Sequence, residues 1–511
     1  MKHIKQLLSK AFILVLTVLI QITALIIMLL EFRNYLILFY TVCYLISIVS
    51  VLWIVNNRMN PGFKIAWLII IFTFPFFGII VYLLYGGKKS GRRMHEKLDN
   101  AYSKMQLKSL ERQEEVLLKL KEESPYAYLQ ANYIKQKSLC PLYDNSSCSY
   151  YSPGEAVYPV ILEELQKAER YIFLEFFIIE KGVFWDSVLE ILVEKARCGV
   201  DVRLIYDDLG SVFTLPRHFD KRMNALGIKC QVFNPFIPIV SASINNRDHR
   251  KILLIDGKTV FTGGINLADE YINRKKKFGY WKDSVVLLKG QAVWSFVVMF
   301  LSTWNYLSHS KEDVSLFQTE APVIPKHDET GYLQPYADTP LDQECVGETV
   351  YINLINKATK YLYIMTPYLI IDNEILTALC NAAKSGVDVR LITPHIPDKK
   401  LVHMMTRSFY PILLECGIRI YEYTPGFIHS KAFAADDCYG IVGTVNLDYR
   451  SLYLHFECGV WMYRKDAVLD IKKDFLDTMA VSEEILLQNC GSRHWYIRLL
   501  SSVMRIFAPL F

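Results

Sequence analysis

The chain has 511 residues, 52% of them hydrophobic, and a formal net charge of +5. That length accommodates two or three domains with a sizeable core, and the hydrophobic share exceeds the globular norm. So small a net charge, with no long basic stripe, speaks against a nucleic-acid partner, and 11 cysteines without a CxxC pair speak against a disulfide framework.

The hydrophobic excess sits at the N-terminus. Three uncharged stretches follow one another: "AFILVLTVLIQITALIIMLL" from Ala11, "YLILFYTVCYLISIVSVLWIV" from Tyr35 and "IAWLIIIFTFPFFGIIVYLLY" from Ile65. Each approaches the ~20 residues that cross a bilayer as a helix. The first also resembles a signal peptide behind "MKHIKQLLSK", but its apolar run is long for that and no small-x-small cleavage site follows. Two to three retained spans are expected over residues 1–89, making a multi-pass cell-membrane protein. Lys2, Lys5 and Lys10 precede the first stretch while Lys88, Lys89, Arg92 and Arg93 follow the third. With three spans these clusters fall on opposite sides and the positive-inside rule contradicts itself. The scattered cysteines suit reduced thiols, which favours a cytoplasmic catalytic region.

Residues 90–135 turn to Lys, Glu, Arg and Leu and read as a charged helical connector. Beyond them the chain repeats itself. "KAERYIFLEFFI" from Lys167 resembles "KATKYLYIMTPYLI" from Lys357, 190 positions on; "GVDVRLI" recurs letter for letter from Gly199 and Gly386; "GIKCQVF" from Gly227 matches "GIRIYEY" from Gly417. Strand-like runs alternate with amphipathic segments in each copy, which predicts α/β lobes over 136–314 and 331–490, joined by a linker at 315–330. The basic run Arg274 to Lys277 reads as a solvated loop, with lipid headgroups as the alternative partner. The tail, 491–511, places Arg498, Ser501, Ser502 and Arg505 at helical spacing among apolar residues. That predicts an amphipathic helix for a membrane interface or for the protein's own core.

Each copy ends in His-x-Lys, four residues, Asp, and then Gly-x-x-Asn: His249, Lys251, Asp256, Asn266 and His429, Lys431, Asp436, Asn446. On a strand, residues two apart share a face, so each His stands beside a fixed positive charge. Asp256 has the wrong parity for that face and opens a "DG" turn, so it and Asp436 are expected to hold the framework. Gly263 and Gly443 allow close backbone approach, and Asn266 and Asn446 are placed to aim amide donors at an oxyanion. Two imidazoles, two ammoniums and two carboxamides suit phosphodiester transfer without a metal: one His attacks phosphorus, the other protonates the leaving oxygen. One copy supplies half a site, so the two are expected to meet at a pseudo-twofold interface. Neither histidine has a Cys or His at zinc-ligand spacing, and no metal or cofactor is expected. His403 and His455 read as ordinary satisfied side chains.

These paired motifs resemble the signature of the phospholipase D superfamily. "NNRMNPGFKIAWLIIIFTFPFFGIIVYLLYGG", "DVRLIYDDLGS", "RDHRKILLIDG", "TPYLIIDNEIL" and "SGVDVRLITP" are similar to segments of bacterial cardiolipin synthases across nearly the whole chain. The resemblance implies a membrane anchor followed by a bilobal α/β region with one cleft. It also implies a phosphohistidine intermediate and transfer of a phosphatidyl group between two phosphatidylglycerol molecules. It further implies that Asp283 and Glu457 orient the histidines; His455 stands where the family usually has Asn. Lipid hydrolysis, transfer to another alcohol, and a membrane-tethered nuclease share these catalytic residues. A non-catalytic scaffold would be expected to have lost a His or Lys. None of these motifs encodes an oligomeric state.

Overall fold

The computed structural model describes residue 23 and residues 36–86, 110–235, 245–320, 331–342, 344–490 and 495–510. The chain divides into two compact units, with the main boundary between Ser90 and Gly91. In the N-terminal unit, Leu36–Asn56 is a 21-residue uncharged helix. The third apolar stretch is broken into helices Pro61–Thr73 and Pro75–Tyr85. Phe74 between them has φ −135°, because a residue preceding proline is pushed out of the helical region. Asn60 caps the first of the pair through Oδ1, which accepts from the Gly62 N–H at 2.9 Å. Ile54, Trp67, Ile71 and Tyr82 form the small core, with Tyr82 edge-on to both Trp53 and Trp67. Among the described residues no helix is long and apolar enough to cross a membrane, so the expected spans are not found as such; the first stretch, residue 23 apart, lies outside the described residues.

The second unit contains both repeats. In the first lobe the strands are β1 (Ser146–Tyr151), β2 (Tyr171–Phe176), β3 (Asp201–Asp207), β4 (Lys229–Phe233), β5 (Arg247–Asp248), β6 (Ile252–Ile255), β7 (Thr259–Gly263), β8 (Tyr280–Lys282) and β9 (Val285–Gly290). In the second they are β10 (Tyr332–Asp338), β11 (Tyr361–Met365), β12 (Leu369–Ile370), β13 (Asp388–Pro394), β14 (Arg419–Tyr423), β15 (Gly426–Ile428), β16 (Ala432–Ala435), β17 (Tyr439–Gly443), β18 (Leu447–Asp448), β19 (His455–Tyr463) and β20 (Ser482–Ile485). The main sheets run β1-β9-β7-β6-β2-β3-β4 and β10-β19-β17-β16-β11-β13-β14-β20. The second order is the first repeated, with β20 added at the edge. Register repeats too: Tyr171 pairs Asp201 and Tyr361 pairs Asp388 in parallel.

The recurring glycines explain the matching letters. Gly199 and Gly386 have φ +89° and +97° with open space around a Cβ. Each follows a helix and lets it stop in one residue, and Val200 and Val387 then donate back to the carbonyls of Lys195 and Ala382. β2 is buried on both faces. Ile172 and Leu174 pack with Val157, Phe184 and Val188 of helices Gly154–Gln166 and Val183–Arg197. Phe173 on the other side stacks on Phe300 of helix Val293–Ser308, with centroids 4.6 Å apart. Each such side chain contributes about 1.5–3 kcal/mol on burial. In the second lobe Tyr363 stacks on Phe475 in the same way.

A turn at Val314–Phe317 packs back on the first lobe, where the Phe317 carbonyl accepts from the Tyr171 hydroxyl at 2.8 Å. The tail does form a helix, Trp495–Phe507. Arg505 stacks on Phe409 at 4.4 Å and Ser501 is buried, while Leu499, Leu500, Val503 and Ile506 are exposed. One face therefore packs on the protein and the other is free. In the basic run, Lys275 pairs with Glu180 and Lys277 with Glu270. All eleven cysteines are free thiols.

Candidate active site

Asp256 and Asp436 sit at the hairpin turns between β6 and β7 and between β16 and β17. Both adopt positive φ, +53° and +55°, followed by Gly257 at +64° and Asp437 at +59°, as a primed hairpin turn demands. The Asp256 carboxylate accepts from the backbone N–H groups of Glu169, Arg170 and Tyr171 at 2.8–2.9 Å. Asp436 accepts likewise from Thr359, Lys360 and Tyr361. Each carboxylate ties its hairpin to the start of the central strand, β2 or β11.

The His-x-Lys tripeptides do not lie within the strands. They form the short connections from β5 to β6 and from β15 to β16, and these connections cross between lobes. β5 pairs in parallel with the start of β19, and β15 with β8. The His249 N–H then donates to the Phe456 carbonyl at 2.9 Å, and the His429 N–H to the Lys282 carbonyl at 2.7 Å. Each contact is the mirror of the other with the lobes exchanged, as a pseudo-twofold relation requires. Ser284 and Ser430 join across the seam, 2.6 Å between hydroxyls.

The carboxylates are exchanged in the same way. His249 Nδ1 lies 2.9 and 3.0 Å from the two oxygens of Glu457, which belongs to the second lobe. His429 Nδ1 lies 2.7 Å from Asp283 Oδ2, which belongs to the first. Glu457 and Asp283 have no solvent exposure, and both histidines are buried at 7%. With Nδ1 engaged, Nε2 is the reactive atom of each ring. Lys251 and Lys431 each donate to the carbonyl of their own histidine. Phe177 lies beside both His249 and Lys251, and Trp281 and Tyr271 flank His429.

Two differences break the symmetry. Lys431 Nζ also stands 2.9 Å from His429 Nδ1, so that nitrogen lies between a carboxylate and an ammonium, whereas His249 Nδ1 faces carboxylate oxygens. Thr444 donates to Glu457, while the equivalent Gly264 leaves room for Asp283, whose Oδ1 would lie 1.9 Å from an added Cβ.

Burial dominates the electrostatics. It pushes His249 down to about 3 against the pull of Glu457, and His429 well below its ordinary value with help from Lys431. Burial also lowers Lys251 to about 8 and Lys431 to about 7, and raises Asp283 to about 6. Burial pushes Glu457 up, but the His249 imidazole more than offsets this and holds it below the usual carboxylate range. Burial thus favours neutral imidazoles and weakens the charge on both lysines, which face the two carboxylates.

The two asparagines differ from each other. Asn266 accepts from the Ile178 N–H and donates to the Tyr271 hydroxyl, so its amide is committed to the framework rather than to an oxyanion. Asn446 is buried with an unpartnered Oδ1. Gly263 and Gly443 do permit close approach: a Cβ would meet the Ser284 carbonyl at 2.3 Å and the Cys458 carbonyl at 2.6 Å.

His455, expected to be an ordinary side chain, lies at the site. Its ring is 5.4 Å from that of His249, and its Nδ1 is 3.5 Å from Glu457 Oε1 without a hydrogen bond. Its place two residues before Glu457 was the only signal in the sequence. His249, His455 and Glu457 present ligand atoms within 4.8 Å of one another, as do Glu348, Asp372 and Glu374 farther away in the second lobe. Spacing along the chain anticipated neither group.

Residues 161–286 and 351–479 match the family described as "Cardiolipin synthase, PLD-like domain", and residues 44–87 match "Phospholipase D-nuclease N-terminal". The chain is 43% identical over 461 residues to an uncharacterized protein of Streptococcus mutans, covering 90% of this chain and 99% of that one. It is 34% identical over 479 residues to a cardiolipin synthase of Geobacillus kaustophilus, covering 92% of each chain. It is also 34% identical to cardiolipin synthase 2 of Bacillus anthracis, covering 89% of this chain and 88% of that one. Among solved structures, a phosphatidylserine synthase of Haemophilus influenzae superposes with a TM-score of 0.55 at 14% identity. The match covers 75% of this chain and 98% of that one and supports the fold alone. With the duplicated sheet order, the crossed histidine pairs and these relatives together, the chain belongs to the cardiolipin synthase family of two-domain phospholipase D-like proteins.

Proposed function

We propose that the protein is a cardiolipin synthase. It transfers the phosphatidyl group of one phosphatidylglycerol to the free hydroxyl of another, giving cardiolipin and glycerol. The observation that carries this reading is the exchange of carboxylates between lobes, which makes one reaction centre from His249 with Glu457 and His429 with Asp283.

The asymmetry supports distinct roles for the two histidines. With only carboxylate oxygens at its Nδ1, His249 keeps N–H there and a lone pair on Nε2, and is the nucleophile. His429, pressed by Lys431, is the stronger acid when protonated. A bound phosphodiester brings one negative charge to the site, and a proton taken up on His429 offsets it. His249 Nε2 then bonds to phosphorus, the bond to the glycerol oxygen breaks, and the His429 proton passes to that oxygen. In the return step the second phosphatidylglycerol gives its hydroxyl proton to His429, its oxygen bonds to phosphorus, and the P–N bond breaks. Lys251 and Lys431 offset charge on the non-bridging oxygens. Asn446 is a supporting residue, and Asp256, Asp436 and Asn266 hold the frame.

Residues 1–89 serve as a membrane anchor, 90–135 as a connector, 136–314 and 331–490 as the lobes, 315–330 as the linker, and 491–511 as an interfacial tail. Anchoring is supported by the uncharged, apolar composition of Leu36–Asn56. Ile37, Leu38, Val49 and Leu52 on that helix are 59–79% exposed. The test is to supply purified protein with phosphatidylglycerol in detergent and to identify products by mass spectrometry. Cardiolipin and glycerol in equal amounts are expected; phosphatidic acid as the main lipid product would replace transfer by hydrolysis.

A further inference from the structure

We propose that His249, Glu457 and His455 form a binding site for a divalent ion of borderline softness, such as Zn²⁺ or Co²⁺, and that its occupancy switches the transfer reaction off. The inhibitory effect rests on the assignment of His249 as nucleophile; the binding does not.

The first observation is geometric. Glu457 Oε1 lies 2.9 Å from His249 Nδ1 and 3.5 Å from His455 Nδ1, and all three ligand atoms fall within 4.8 Å of one another. An ion with tetrahedral bonds of ~2.0–2.1 Å separates its ligands by ~3.3 Å, between the two observed values. The second observation is that His455 Nδ1 is enclosed, and the Glu457 oxygen facing it, at 3.5 Å, is too far for a close hydrogen bond. A buried ring nitrogen without a close partner is costly, and a metal ion is one partner that satisfies it. Glu457 stays anchored through Oε2, which accepts from Thr444, so Oε1 is the ligand oxygen. His249 and His455 keep 8% and 10% side-chain exposure, while Glu457 has none. The ion therefore enters from the histidine side, and solvent completes its coordination. The Lys251 ammonium opposes it, which suits a reversible occupant rather than a permanent one.

The consequence for His249 is a change of tautomer. An ion at Nδ1 takes that lone pair, and the proton formerly on Nδ1 resides on Nε2, with no net gain or loss of protons. Nε2 then has no lone pair with which to attack phosphorus. Asn, the residue the family usually carries at position 455, would remove one of the three ligands.

The test uses the full-length protein in detergent, freed of metal with EDTA and then titrated. Co²⁺ is expected to give the visible absorption of a low-coordinate nitrogen-ligated site, and Zn²⁺ to displace it and inhibit cardiolipin formation. His455→Asn and His455→Gln are expected to stay active in EDTA, to lose the Co²⁺ band, and to need at least about tenfold more Zn²⁺ for the same inhibition. Equal Zn²⁺ sensitivity of wild type and either variant, or a Co²⁺ band that survives both substitutions, overturns the site. If chelated wild type forms no cardiolipin, the proposed function fails instead, and the His455 dependence of the Co²⁺ band still decides the site.

Discussion

Replacing Glu457 with Gln is expected to disable a histidine in the opposite lobe. The carboxylate is fully buried and accepts the His249 Nδ1–H at 2.9 Å. A hydrogen bond to an ionised partner contributes about 1.5–3 kcal/mol, which corresponds to roughly 10–150-fold in rate at about 1.4 kcal/mol per decade. The larger effect is orientational. Thr444 donates to Oε2, so the Gln carbonyl oxygen settles there and its NH2 group turns toward His249. A donor at that place forces the ring proton onto Nε2, and loss of the nucleophilic tautomer extends the effect toward ~10⁴. A p-nitrophenyl phosphodiester, whose leaving group needs no proton, isolates the step: its burst of nitrophenolate reports P–N bond formation alone. Glu457→Gln is expected to lose the burst and phosphatidylglycerol turnover together. Asp283→Asn, acting on His429, is expected to keep most of the burst and lose turnover. If Asp283→Asn abolishes the burst while folded Glu457→Gln retains it, the crossed assignment is wrong.

The framework aspartates are expected to act on stability. Asp256→Ala, which strips the N–H groups of Glu169, Arg170 and the buried Tyr171 of their acceptor, should cost about 2–3 kcal/mol, and Asp436→Ala, at a less buried turn, about 1–2, both read as denaturant midpoints. Gly443→Ala places a Cβ 2.6 Å from the Cys458 carbonyl and should lower the melting temperature by forcing β17 from β19; an unchanged melt would show that the strands can yield. With Lys431 at about 7 and Lys251 at about 8, kcat/KM for the anionic substrate should fall as pH rises from 7 to 9, and Lys431→Arg should flatten that limb because guanidinium keeps its charge. Stability should move the opposite way, rising over about 7 to 10, where the unfolded lysines still bind protons that the folded ones have lost. Calorimetry across that range checks the sign.

The repeat was legible because its anchors are local: glycines that end helices and aspartates that close hairpins impose the same letters wherever the same turn is built. The Asp-Gly turn signal separated Asp256 from His249, whereas the parity argument assumed a strand that residues 249–251 do not form. The exchange of carboxylates was not legible in spacing, since partners 208 and 146 positions apart leave no periodic trace; only family resemblance pointed to Glu457 and Asp283. The partners of Asn266, Ile178 and Tyr271, were not legible because they depend on a loop that no local pattern specifies. The break at Phe74 was written in "FTFPFF", where proline excludes its neighbour from a helix, and apolar length masked it. His455 was not legible because the feature that marks it, an enclosed nitrogen with its carboxylate held 3.5 Å away, exists only in three dimensions.

The hydrogen bond from His249 to Glu457 also sets a schedule. A chain made from its N-terminus completes the first lobe, His249 included, long before residue 457 exists, and closing so distant a contact is a slow step. Until the second lobe is made and docked, His249 has no carboxylate to fix its tautomer and His429 has not been synthesised. Unfinished chains held against lipid are therefore inert, and catalytic competence arrives only with the last large piece of the fold.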